Sequence, residues 1–70
     1  MELKFAERLK ELRLEAGLTQ KQLSIELQGK IDQSSIARWE LGGRMPLLDA
    51  VAILAIYFGV SIDYLAGLED

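Results

Sequence analysis

The sequence contains no cysteine and no histidine in 70 residues, and it has a single proline (Pro46) and a single tryptophan (Trp39). Without cysteine there can be no disulfide and no thiolate metal site, which fits a reducing, cytoplasmic setting. Without histidine as well, neither a zinc site nor a Ser/His or Cys/His nucleophile pair can be assembled. No metal and no cofactor are therefore expected, and the chain is not expected to be an enzyme. Long apolar runs are missing too. The longest, Leu47 to Phe58, is interrupted by Asp49 and falls short of the roughly 20 residues that a bilayer-spanning helix needs. The opening stretch MELKFAERLKEL alternates charge with apolar residues, so neither a signal peptide nor membrane association is expected.

Basic charge is scarce. Eight Lys and Arg stand against eleven Asp and Glu, a net charge of −3, which is the wrong sign for a surface that lies on phosphate. The charge is unevenly spread, however. Residues 1–17 balance four bases (Lys4, Arg8, Lys10, Arg13) with four acids. Residues 18–46 carry Lys21, Lys30, Arg38 and Arg44 against Glu26, Asp32 and Glu40. Residues 47–70 hold Asp49, Asp63, Glu69 and Asp70 and no base. A local field over the middle third can still favour a polyanion.

What the chain does have is apolar periodicity, and half of its residues are hydrophobic. That suffices for a single domain spanning 1–70, near the lower limit for folding alone. Five helical segments are expected. The first runs from about Lys4 to Ala16, with Phe5, Leu9, Leu12 and Ala16 on one face and Gly17 as the stop. Its Glu7, Glu11 and Glu15 interleave with bases and read as a solvated face rather than an acid–base cluster. The second starts at Thr19, where Thr19 and Gln22 form a capping box and Leu18 and Leu23 a hydrophobic staple. The third opens at the N-cap Asp32, with Ile31 and Ile36 at staple spacing and Ile36 and Trp39 facing inward. The fourth is Leu47 to Phe58, stopped by Gly59. Ser61 caps a short fifth helix that Gly67 closes.

Two short helices, Thr19–Leu27 and Asp32–Leu41, joined by a glycine-containing turn have the pattern of a helix-turn-helix. In such a pair the second helix offers polar side chains from its first turns to the major groove, where each base pair displays a distinct donor and acceptor pattern. Gln33 suits adenine, Arg38 suits guanine or a phosphate, and Ser34 can reach either a base edge or a phosphate; Ala37 shares this face. Amides at Thr19-Gln20-Lys21 suit a phosphate at a helix start, with Lys21, Lys30 and Arg44 as further backbone contacts.

At these residues the sequence resembles the phage repressor and Cro-like helix-turn-helix proteins. RLKELRLEAGLTQKQL, SSIARWELGGRMP and YFGVSIDYLAGLED carry the likeness, which covers nearly the whole chain. The resemblance implies an all-α, five-helix repressor-like domain that binds double-stranded DNA and regulates transcription, as a repressor. It implies that Arg13 pairs with Glu40 to bridge the first helix to the recognition helix. It also implies that Thr19 and Gln20 approach the DNA backbone, that Gln33, Ser34 and Arg38 read bases, and that the loop from Gly42 through Gly43 to Arg44 runs along phosphates.

Three features depart from the family pattern. The turn Gln28-Gly29-Lys30-Ile31 is longer than usual, Leu47 stands where a capping Ser or Asp is common, and Ile53 and Ile56 stand where polar residues are common. If Val51, Leu54, Ala55 and Phe58 face the core, then Ala52, Ile53 and Ile56 face away from it, and a second apolar face needs cover. Homodimerisation through helices four and five, with Tyr57, Tyr64 and Leu68 joining Ile53 and Ile56, is the expectation; a covering segment of the same chain is the alternative. A two-fold dimer sets its recognition helices roughly 34 Å apart on a pseudo-palindromic operator. No sensor segment is evident within these residues, so no small-molecule ligand is expected. The competing function is a protein-interaction module that keeps the fold and binds little DNA. A single-strand stacking role for Trp39 and Tyr64 is disfavoured, because it needs exposed aromatics along a basic groove.

Overall fold

Local chemistry sets where each helix begins. In a computed structural model that describes residues 4–69, the helices are α1 (Phe5–Glu15), α2 (Gln20–Glu26), α3 (Gln33–Glu40), α4 (Leu48–Phe58) and α5 (Ile62–Ala66), and no strand occurs among the described residues. Thr19 accepts from the Gln22 amide while the Gln22 side chain accepts from the Thr19 amide, closing the capping box. Asp32 and Ser61 cap α3 and α5 by accepting from the amides of Ser35 and Tyr64. Each cap satisfies amides that the first helical turn leaves without partners. At the start of α4, Leu47 supplies no side-chain cap. No helix of the described residues is long and apolar enough to cross a membrane.

The apolar stripes of the helices meet in one cluster. Phe5 and Leu9 of α1, Leu23 of α2, Ile36 of α3, Leu54 of α4 and Leu65 of α5 are all fully buried. Trp39 is half-buried against this cluster, its ring edge-on to Phe5 with centroids 6.2 Å apart. The stripe of α1 differs from the spacing-based expectation at its C-terminal end. Ala16 is exposed and Arg13 is buried in its place. The helix ends at Glu15, which turns Ala16 out, while polar partners on other elements hold Arg13 inside.

Helix α4 also differs from expectation. Ile53, expected to point away from the core, is half-buried against it. α4 is apolar around most of its circumference, so its neighbours can enclose a wider arc than one stripe, leaving Leu48 at its start and Ile56 as its strongly exposed aliphatic residues. α5 returns to α1, where Gly67 has φ +86° and a Cβ there would lie 2.3 Å from the Lys4 backbone nitrogen. Arg8 of α1 reinforces this junction. Its guanidinium lies 4.2 Å from the Tyr64 ring centroid and donates to the Tyr64 and Glu69 carbonyls.

The long turn between α2 and α3 is built from two consecutive left-handed residues, Gln28 (φ +58°) and Gly29 (φ +75°). Leu27 and Ile31 anchor its two ends in the core. The Ser24 hydroxyl donates to the Ile31 carbonyl at 2.7 Å, and the Gly29 amide reaches back to the Ser24 carbonyl. The added length is thus pinned at both ends.

A side chain in the left-handed region costs roughly 1 kcal/mol, which glycine does not incur. Gln28→Gly is therefore expected to raise stability by no more than a few tenths of a kcal/mol, after its larger unfolded-state entropy is subtracted. Gln28→Val should lower stability, since branching at Cβ makes this conformation worse. Urea denaturation of the two variants checks the opposite signs.

Candidate nucleic-acid interface

Helix α3 has only eight residues, too short to hold its shape or direction alone. Its C-terminal end is fastened by a charged pair. Arg13 Nε donates to Glu40 Oε2 at 2.7 Å and Arg13 Nη2 to Glu40 Oε1 at 2.8 Å, a two-pronged contact in which the side chains are 9% and 5% exposed. Arg13 Nη1 donates to the Leu18 carbonyl at 2.8 Å, and the Gln20 side-chain amide donates to Glu40 Oε1 at 3.2 Å. Burial alone would push the Glu40 carboxyl up. The hydrogen bonds from Arg13 and Gln20 outweigh that and hold it below the ordinary range. The same bond raises Arg13 further, against its own desolvation.

With its inner side held by Ile36, Trp39 and Glu40, α3 turns its other side outward. Gln33, Ser34 and Arg38 are exposed, and Ala37 between them is half-buried. These three polar side chains occupy the first two turns, where a major-groove reader carries its base contacts. Two of them already have neighbours. The Ser34 hydroxyl donates to Asp32 Oδ2 at 3.0 Å, and Arg38 Nη2 makes a long 3.4 Å contact to the Ser35 hydroxyl. Ser34 therefore presents its lone pairs outward, while Gln33 has no such commitment among the side-chain hydrogen bonds of the described residues. Asp32 stays ionised at the tip of the helix. Hydrogen bonds from Ser35 and Ser34, with Arg38 nearby, keep its carboxyl below its ordinary range.

The backbone-contact candidates surround this face unevenly. Lys21, Lys30, Gly43 and Arg44 are exposed. The capping box occupies the Thr19 amide and hydroxyl, so an anion at the start of α2 would meet the Gln20 and Lys21 amides instead. The Gln20 side chain, expected to reach the DNA backbone, is half-buried and spends its amide on Glu40. Arg38 and Arg44 line opposite sides of a groove of about 540 Å³ between α3 and the segment that follows it. Sequence reasoning missed Ser24, because the Ile31 carbonyl comes near it only when the turn folds, and Ser35, although its spacing of three from Arg38 on one helix was a readable signal.

The side chains expected at a two-fold interface divide. Ile56 and Leu68 are well exposed and Tyr57 is marginally so. Ile53 belongs to the core margin, and the Tyr64 ring lies under Arg8 of the same chain. The Tyr57 hydroxyl donates to Glu26 Oε1 at 3.1 Å, tying α4 to α2.

Comparison with known proteins gives a consistent picture. A model of the helix-turn-helix family matches residues 9–65. The uncharacterized HTH-type transcriptional regulator YobD of Bacillus subtilis (strain 168) is 38% identical over 66 residues, covering 94% of this chain and 57% of that protein. The HTH-type transcriptional activator BcrR of Enterococcus faecalis is 32% identical over 68 residues, covering 97% of this chain and 32% of that protein. The chain thus spans from about a third to just over half the length of these two relatives. No solved structure gives a significant match.

Removing one partner of a buried ion pair strands the other, so Arg13→Ala is expected to lower stability by about 3 kcal/mol. Because the folded-state pKa of Glu40 is depressed, its contribution is present above the unfolded value of about 4.3 and is lost as pH falls through the folded value. The stability difference between wild type and Glu40→Gln should therefore be full at neutral pH and shrink below about pH 4. Urea midpoints measured across that range test it, and a difference independent of pH would contradict it.

Proposed function

Because the chain belongs to the helix-turn-helix family, we propose that it binds double-stranded DNA in a sequence-specific way and regulates transcription from the site it occupies. The observation that supports this most is the exposure of Gln33, Ser34 and Arg38 side by side on a helix whose opposite side is clamped to the core. Short polar groups held rigidly at a helix start are what a base edge in the major groove can recognise. In this reading Gln33 pairs with adenine, Ser34 accepts from a base or a backbone group, and Arg38 takes a guanine or a phosphate. Ala37 gives room for close approach. The free amides of Gln20 and Lys21 at the start of α2, together with Lys21, Lys30, Gly43 and Arg44, hold the DNA backbone. Repression by occupancy is the proposed mode, since it requires only these contacts.

The chain acts as a homodimer in this proposal, with Ile56 and Leu68 of two copies covering one another on a pseudo-palindromic operator. It works in the cytoplasm, with no catalysis and no small-molecule ligand. A protein-interaction module of the same fold is the second reading. It is favoured by the net charge of −3 and by the exposed leucines that flank the groove.

Anisotropy titration against fragmented genomic DNA at several salt concentrations tests the first reading. Affinity must fall steeply as salt rises, because phosphate contacts release counterions. Arg44→Gln should weaken all duplexes alike and reduce the salt slope by about one, whereas Gln33→Ala should relax preference at a single position and cost about 1–3 kcal/mol there. Absence of binding at any salt would remove the DNA reading. For the dimer, sedimentation should show wild type associating and Ile56→Glu monomeric; a monomer in both would refute it.

A further inference from the structure

The groove beside α3 has a composition that nucleic acid uses only in part. Its polar lining residues are Ser35, Arg38 and Arg44, and its apolar ones include Trp39, Met45 and Leu47. No carboxylate lines it, and neither arginine has one within 4 Å among the described residues. The segment forming its outer wall is bounded by strongly exposed leucines. Leu41 is 87% and Leu47 80% exposed, with Leu48 next to it also in solvent. Phosphates can satisfy the two guanidiniums but leave these aliphatic groups in water. An exposed apolar patch rimmed by charge is the mark of a protein-binding surface. At about 540 Å³ the groove falls within the roughly 300–1,000 Å³ of ligand clefts.

We propose that this groove docks an acidic, apolar peptide segment of a partner protein, whose carboxylates engage Arg38 and Arg44 and whose aliphatic side chains cover Trp39, Met45 and Leu47. Arginine pairs with carboxylates through parallel hydrogen bonds that a bare groove cannot supply for itself. The docked segment takes the same arginines that the DNA reading uses, so peptide and DNA exclude one another. Peptide docking itself does not depend on the DNA reading.

The single tryptophan lies in the groove wall and reports on its occupation. The probe is a synthetic peptide of repeated Glu-Leu pairs, titrated against the full chain while Trp39 emission is followed, beside Lys-Leu and Glu-Ser peptides of equal length. Only the Glu-Leu peptide is expected to shift the emission saturably. Arg38→Gln with Arg44→Gln should weaken it about a hundredfold, the loss of two charge-assisted contacts. Both arginines are exposed, and circular dichroism of the double variant verifies that its fold is kept. No shift, an equal response to the Lys-Leu or Glu-Ser peptide, or undiminished binding by the double variant would overturn the proposal. So would a shift that grows with protein concentration alone, which marks a second copy in the groove, or saturation by sodium octanoate with equal affinity, which marks a small-anion site. A parallel DNA titration separates the two claims: peptide binding without DNA binding sinks the DNA reading and leaves the docking site standing.

Discussion

The buried pair of Arg13 and Glu40 is the constraint from which the geometry of the surface follows. Seven polar atoms converge there from three places: the end of α1, the entry to α2 and the end of α3. Desolvating two charges is unfavourable unless the geometry is good and the remaining donors are satisfied. Both conditions hold, because the third guanidinium nitrogen finds the Leu18 carbonyl and the carboxylate receives Gln20 as well. Such an arrangement tolerates little displacement. It fixes the direction of an eight-residue helix that apolar contacts alone would leave freer to rotate.

Once α3 is fixed, its residues have settled duties. Ile36 and Trp39 complete the core with Phe5, and Gln33, Ser34 and Arg38 are left outward together. Ser24 and the buried Leu27 and Ile31 keep the turn before it from drifting. Its left-handed Gln28 carries the backbone strain. The outward face is also not uniformly basic. Asp32 caps the helix and remains charged at its tip, which disfavours phosphate nearby while freeing the α3 amides from needing one.

Electrostatics therefore divides the molecule. Lys21, Lys30, Arg38 and Arg44 lie on α2, α3 and the segments that join and follow them, while α4, α5 and the residues after them carry acids alone. That asymmetry orients an encounter without requiring high net charge. The leucines beside the groove do not fit this account of phosphate binding. Their exposure is what sets a protein partner beside nucleic acid as an occupant of the same surface.

Local signals make most of the architecture legible in the sequence. Thr19 with Gln22, Asp32 and Ser61 mark three helix starts, since capping depends on residues within one turn of each other. Staple pairs and apolar spacing located most of the core for the same short-range reason. The polar set on α3 was readable because helical periodicity places positions three and four apart on one face. Contacts between residues far apart in sequence were not readable in this way. Spacing placed Ala16 inward, but Glu40, 27 residues from Arg13, makes burial of the arginine favourable instead. Ile53 is half-buried because of what surrounds α4, and Tyr64 is covered because Arg8 arrives from 56 positions away. Where helices start and stop, and which side chains can enter the core, is written in local residue order. Which polar groups are already spent on one another is settled by folding, because a hydrogen bond across the fold has no period in the chain.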